Sequence, residues 1–264
     1  MDYIAFRKEV IERGLLDRQY GYYTYKIIFT FAFLALSVFF LVKVDNFALQ
    51  LLNAAFLAIV LVQVGLIMHD AEHQQIFNSS WKNSLIGLIT GNLAINLSAG
   101  SWASEHNKHH SAPNNADIDP DVNISVLAYS EEQALAKNGL ARFIARYQAF
   151  FWFPLLTLTA YSKRIRLLLV LLSNLKSKRW KYYIADFVFL VAGAVLYYGL
   201  VFYSLNFWKG TIFILVNQAL AGLYVGTIFA TNHKALPLVK GELDFLHAQV
   251  LTTRTVKSNP LINL

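Results

Sequence analysis

The stretch Phe47-Ala-Leu-Gln-Leu-Leu-Asn-Ala-Ala-Phe-Leu-Ala-Ile-Val-Leu-Val-Gln-Val-Gly-Leu-Ile-Met68 carries no charge and runs directly into His69-Asp-Ala-Glu-His73. A helix needs about 20 such residues to cross a hydrocarbon layer. The stretch is therefore expected to span a membrane and to deliver two histidines at its exit. Three further runs, 27–44, 182–205 and 210–231, meet the same criterion, and Asp186 is the one carboxylate inside any of the four. Four such runs in a soluble protein would demand an implausibly large apolar interior. Composition agrees, with 56% hydrophobic and 15% charged residues over 264 positions, which is too apolar for an ordinary soluble domain of this length.

The linkers at 43–46 and 206–209 are short, so the spans pair as two tight hairpins. The expected fold is all-α, a polytopic membrane protein of four transmembrane helices in two hairpins with a cytoplasmic helical cap. Lys and Arg set the orientation: 21 lie before the first span, in the long middle segment or after the fourth span, against only Lys43 and Lys209 in the two turns. The positive-inside rule then places both termini and the middle segment in the cytoplasm. The first 26 residues mix charges and contain no short apolar core ending in a cleavage site, so a removable signal peptide is not expected. Two shorter apolar pieces, 84–98 and 148–161, are interrupted by Gly and Asn or by Pro154 and read as interfacial helices. The cations Lys163, Arg164, Arg166, Lys176, Lys178, Arg179 and Lys181 are expected at headgroup level, anchoring membrane lipid. No basic tract is interleaved with stacking aromatics in a polar setting, so nucleic acid is not an expected partner despite the net charge of +7.

There is no cysteine. Disulfides, iron–sulfur clusters, thiolate zinc sites and cysteine nucleophiles are thereby excluded, and any metal must be held by imidazole, carboxylate or amide groups. Of seven histidines, five fall between 69 and 110. His69 and His73 are four apart, and His106, His109 and His110 have the i, i+3, i+4 relation, so on helices each set projects along one stripe. His233 follows the fourth span, which the topology returns to the same face. Six imidazoles exceed what one ion of four to six ligands needs, which suggests two centres, although imidazole by itself accepts Zn, Cu, Fe and Ni alike. Asp70, Glu72, Asn107, Asp117 and Asn232 are candidates to orient those rings by accepting an imidazole N–H. His247 is assigned no role.

The order of these features resembles the membrane fatty acid desaturases. Four spans, His69-x-x-x-His73 after the second, His106-x-x-His109-His110 in the long loop and Asn232-His233 after the fourth carry the likeness. The run His106-Asn-Lys-His-His-Ser-Ala-Pro-Asn-Asn-Ala-Asp-Ile-Asp-Pro-Asp121, with Asn232-His233-Lys234 and Gln249-Val-Leu-Thr-Thr-Arg254, is similar to acyl-CoA and acyl-lipid desaturases of the linoleoyl-CoA, or front-end, branch.

The resemblance implies a di-iron oxidoreductase that uses O2 and two electrons per cycle on a fatty acyl-CoA or acyl-lipid. The implied metal ligands are His69, His73, His106, His109, His110 and His233. It also implies a third box, Gln-x-x-His-His, soon after 249–256. The sequence reaches Leu264 without one, so 1–264 reads as a single desaturase domain incomplete at its C-terminus, which is not expected to assemble the full site. No His-Pro-Gly-Gly haem motif is present, so electrons are expected from a separate ferredoxin or cytochrome b5 type protein.

Three other protein classes share part of this pattern. A membrane di-iron hydroxylase shares the boxes but yields an alcohol. An intramembrane zinc protease needs Glu after the first His, where Asp70 stands. A non-catalytic metal-binding or transport protein would put its ionisable groups at mid-membrane depth, whereas all six candidate ligands lie beyond the spans.

Overall fold

The computed structural model describes residues 3–234, 236–241 and 244–257, without the side chain of His233. In chain order the helices are α1 (Tyr3–Glu12), α2 (Tyr20–Lys43), α3 (Phe47–Glu72) and α4 (Ser80–Gly87), which continues as a π-helix (Leu88–Ala94). They are followed by α5 (Ala99–Ser111), α6 (Glu131–Ala136), α7 (Gly139–Arg146), α8 (Gln148–Leu156), α9 (Thr159–Asn174), α10 (Trp180–Ser204), α11 (Phe207–His233) and α12 (Phe245–Thr252). Among the described residues the only extended pairing is one isolated bridge between Asn115 and Val239. The four helices long and apolar enough to cross a membrane are Tyr20–Lys43, Phe47–Glu72, Trp180–Ser204 and Phe207–Asn232. The chain is thus an all-α polytopic membrane protein. It divides into two compact units, Met1–Ala103 with Ala160–Ala221, and Ser104–Thr159 with Gly222–Leu264.

In the first unit the apolar core joins Leu41, Ala54, Leu57 and Leu61 to Val201, Leu205, Phe213 and Ile214. Water cannot satisfy polar groups at this depth, so each must find a protein partner. Gln50 turns its amide onto the carbonyls of Leu41 (3.2 Å) and Val44 (2.6 Å) and so closes the end of α2. Ser37 Oγ donates to Asn53 Oδ1 at 2.8 Å, and Asn53 Nδ2 donates to the Ser37 carbonyl at 3.1 Å, latching α2 to α3. Asn46 and Asn206 cap α3 and α11, accepting from Leu49 N (3.1 Å) and Lys209 N (3.0 Å). Farther along, Asn217 donates to the Ala54 carbonyl at 3.0 Å and accepts from Tyr197 Oη at 2.9 Å.

The piece at 84–98, read from the sequence as one interfacial helix, is the end of α4 and a π-helical turn packed on α10. A Cβ at Gly193 would fall inside the contact radius of the Asn92 and Leu93 carbonyls, so only glycine admits this approach. Gly193→Ala is expected to cost about 1–3 kcal/mol, as overpacking does. A lowered thermal midpoint in detergent is the check, and an unchanged one would refute the close-packing account.

Asp186, fully buried, ties the same region together. It accepts from Ser98 Oγ at 2.8 Å and from the Gly100 amide at 3.2 Å, and Asn92 Nδ2 donates both to its carboxylate and, at 2.7 Å, to its carbonyl. A carboxylate on the first amides of a helix caps it and matches its dipole, so the one acidic residue of α10 holds the start of α5.

Arg164 departs from the headgroup role expected of it. Its guanidinium is turned inward, donating to the carbonyls of Ile95 (2.8 Å), Asn96 (3.0 Å) and Ala160 (3.1 Å) and to Gln218 Oε1. The Ile95 and Asn96 carbonyls are left over where the π-helix ends and Asn96 takes φ of 54°. Such orphan acceptors attract a cation at a helix C-terminus, which is why this arginine goes in while its neighbour Ile165 stays exposed.

Candidate metal centre

Helix α3 keeps its pattern as far as Glu72, with His73 as its C-cap. One helical turn therefore brings the His69 and His73 rings to 4.5 Å between centroids, and Trp102 packs against both at 5.4 and 6.4 Å. His69 Nδ1 lies 3.1 Å from Asp70 Oδ1, whose other oxygen accepts from Tyr23 Oη at 3.3 Å. An ionised carboxylate only accepts, so His69 carries its proton on Nδ1 and keeps the lone pair on Nε2. Burial and the adjacent His69 ring hold His73 below the ordinary imidazole range, against the opposing pull of Asp70. Burial thus favours the neutral, ligating form of His73. Glu72, one residue before, folds its carboxylate over Gly87, and its Oε1 has no hydrogen-bond partner among the described residues.

The second group stands on the last turns of α5. His106 and His109 are buried, at 9% and 6% exposure, although the segment is polar. His106 Nε2 and His110 Nε2 approach to 2.9 Å with ring centroids 4.4 Å apart, and His109 stacks 5.9 Å from His106. His109 Nδ1 bonds Asp119 Oδ2 at 2.8 Å. By the same reasoning as for His69, this leaves the lone pair on Nε2.

Asp119 is fully buried. Its Oδ2 also accepts from the Asn114 amide and its Oδ1 from the Asp121 amide, each at 2.8 Å. Ligand atoms of His109, Asp119 and Asp121 all lie within 4.8 Å of one another, a grouping able to hold a cation.

Of the ring-orienting candidates named from the sequence, Asp70 contacts His69, as above. Asp117 instead reaches the Gly241 amide at 3.3 Å. Asn107 is exposed on α5, and Asn232 contributes its carbonyl, which accepts from Arg254 N at 3.2 Å. His233 closes α11, but its side chain lies outside the described residues. Asp119 is not among the residues that sequence reasoning picks out. The signal available is the run Asp117-Ile-Asp119-Pro-Asp121, which offers three carboxylates without saying which one turns inward. The stretch around Gln249 also meets this group, since Gln249 Nε2 donates to the His110 carbonyl at 2.9 Å and Arg254 donates to the Lys234 carbonyl at 2.7 Å.

Residues 46–264 match the family model described as Fatty acid desaturase. An acyl-lipid (9-3)-desaturase of Physcomitrium patens is 26% identical across 98% of this chain and 50% of its own length. A delta(8)-fatty-acid desaturase of Euglena gracilis is 27% identical across 89% and 57%, and an acyl-lipid (8-3)-desaturase of Thraustochytrium sp is 27% identical across 93% and 55%. The chain spans about half the length of the curated relatives it matches.

Proposed function

Because the chain belongs to the fatty acid desaturase family, we propose that it is a membrane fatty acyl desaturase, an O2-dependent oxidoreductase that introduces a C=C bond into the acyl chain of an acyl-CoA or acyl-lipid. Two irons would be held by His69, His73, His106, His109, His110 and His233. The observation that carries the reading is the approach of His106 Nε2 and His110 Nε2 to 2.9 Å on a helix end, the disposition of two ligands converging on one cation.

The donor chemistry fits. Imidazole with carboxylate and no thiolate suits iron among other metals, and His69 and His109 each give Nδ1–H to a carboxylate, the usual way a ligating ring is oriented. When bound, the irons supply the oxidant that removal of hydrogen from an unactivated methylene demands and no side chain can generate. The protein's part is to orient the imidazoles, to keep Asp70 and Asp119 as fixed acceptors, and to shield the acyl chain with apolar helices. Electrons would come from a separate ferredoxin or cytochrome b5 type protein. Both termini and the histidines would face the cytoplasm, in line with the placement of Lys and Arg.

Production of the full-length protein in a host lacking the product, followed by mass spectrometry of its fatty acid methyl esters, tests the proposal. A product two hydrogens lighter than its precursor, with iron in the purified protein and loss of product on iron chelation, is expected. An alcohol product would assign hydroxylation instead, and zinc alone with no product would remove the oxidative reading.

A further inference from the structure

Trp102 makes a three-ring cluster with His69 and His73, all within the first unit. The ring planes stand steeply to one another, at 63° for His69 and His73, 60° for His69 and Trp102, and 85° for His73 and Trp102. Aromatic edges packed on aromatic faces resist rotation as well as displacement. The ligand nitrogens of the two imidazoles lie within 4.8 Å of one another. Asp70 fixes the His69 tautomer through Nδ1, and the indole packs on both rings.

The backbone that carries the indole is tied down on several sides. Ser98 caps α5: its carbonyl accepts from the Trp102 amide at 2.9 Å, and its Oγ accepts from the Ser101 amide at 3.2 Å while donating to Asp186 at 2.8 Å. The Ala99 amide donates to Asn92 Oδ1 at 3.0 Å. A Cβ at Gly91 would collide with Met68 Sδ and crowd the Ala99 Cβ, so glycine lets the residue before His69 and the first residue of α5 close on one point. The buried carboxylate of α10 thus reaches the first histidine pair through a capped turn and one side chain. Free side chains lose rotamer freedom when they bind, which weakens affinity. Rings already locked by packing lose less.

We propose that Trp102 is a positioning residue for the metal centre, its indole holding the His69 and His73 rings in the mutual orientation in which one ion takes both. The proposal rests on the desaturase reading for the identity of the ion. Its test does not depend on turnover. Cobalt(II) accepts imidazole as iron(II) does, and its visible absorption reports binding. The full-length protein in micelles, stripped of iron, is titrated with cobalt(II) in competition with a chelator. Trp102→Leu and Trp102→Met, which refill the space without a ring, are expected to weaken binding about 10–100-fold, the range for groups that orient a metal ligand. Trp102→Phe, which keeps an aromatic face, should stay within about threefold of wild type. Wild-type affinity in both ringless variants, or no cobalt binding by the wild type, overturns the proposal.

Phe213→Leu separates positioning from plain packing. Phe213 is fully buried in the apolar core of the same unit, among Leu57, Val201 and Leu205, so its truncation lowers the thermal midpoint without unlocking an imidazole. Its cobalt affinity is expected to stay within about twofold of wild type, as for a site that the substitution does not touch. A loss as large as in the ringless Trp102 variants would make the indole ordinary core and overturn the proposal. Fluorescence supplies a second readout. Cobalt held by His69 and His73 lies against the indole and quenches it, so the Trp102 signal, taken as the difference from Trp102→Phe, should fall several-fold as the site fills. An unquenched Trp102 likewise overturns the proposal. If cobalt affinity depends on the ring as described but the iron-loaded protein forms no double bond, the desaturase reading fails and the positioning role stands. If the double bond forms while cobalt affinity ignores Trp102, the desaturase reading stands and the positioning role fails.

Discussion

His109→Ala is expected to reduce double-bond formation to background while the protein still inserts and purifies. His109 offers Nε2 as a lone pair because Asp119 holds its Nδ1 proton at 2.8 Å, and a redox centre that loses a ligand loses both affinity and geometry. The substitution also strips Asp119, fully buried, of a charge-assisted partner, so a fall in stability of ~1–3 kcal/mol accompanies it. Iron content separates the two effects. An iron-free but folded His109→Ala supports ligation, and an iron-replete variant with retained activity removes His109 from the site.

Asp119→Asn is expected to lower activity or iron affinity by about 10–100-fold, the range for groups that orient a metal ligand. The amide can still accept from the Asp121 backbone, but it would present N–H₂ to a ring nitrogen that now carries a proton, driving His109 toward the tautomer with its lone pair misplaced. Asp117→Asn is the control. Its carboxylate is exposed and accepts from the Gly241 amide at 3.3 Å, with no histidine contact among the described residues, so a change of less than about twofold is expected, as for surface substitutions. Kinetics and iron titration of the two variants side by side decide the matter, and equal losses would mean that the buried carboxylate has no special hold on the ring.

Hydrophobic length alone marks the four spans in the sequence, because a bilayer makes helix length a physical constraint, and the short turns mark their pairing. Histidine spacing marks the two groupings, since a helix repeats its face every three to four residues. What the sequence hides depends on contacts distant along the chain or on irregular backbone. Which aspartate of Asp117-Ile-Asp119-Pro-Asp121 turns inward is decided by a loop in which Asn114 adopts φ of 56°, a conformation that no periodicity signals. Arg164 is indistinguishable from its basic neighbours until the π-helix presents it with unpaired carbonyls. Asp186 is visible as an anomaly within a span, but its purpose is not, because the amides it caps lie more than 80 positions away.

The polar ladder inside the first unit bears on how the protein is assembled. The bonds of Gln50 and Asn53 back to α2 join residues 6 to 16 positions apart, so the first hairpin can satisfy its own buried amides as soon as it has entered the bilayer. Asn217 bonds to Ala54 across 163 positions and can do so only when the last helix arrives. Until then the Tyr197 hydroxyl on α10, whose acceptor is Asn217, stands unpaired in an anhydrous medium with a strong incentive to find a wrong partner. Biogenesis of this protein is therefore most exposed to error in the interval between translation of α10 and docking of α11, and membrane chaperones would have their greatest effect there.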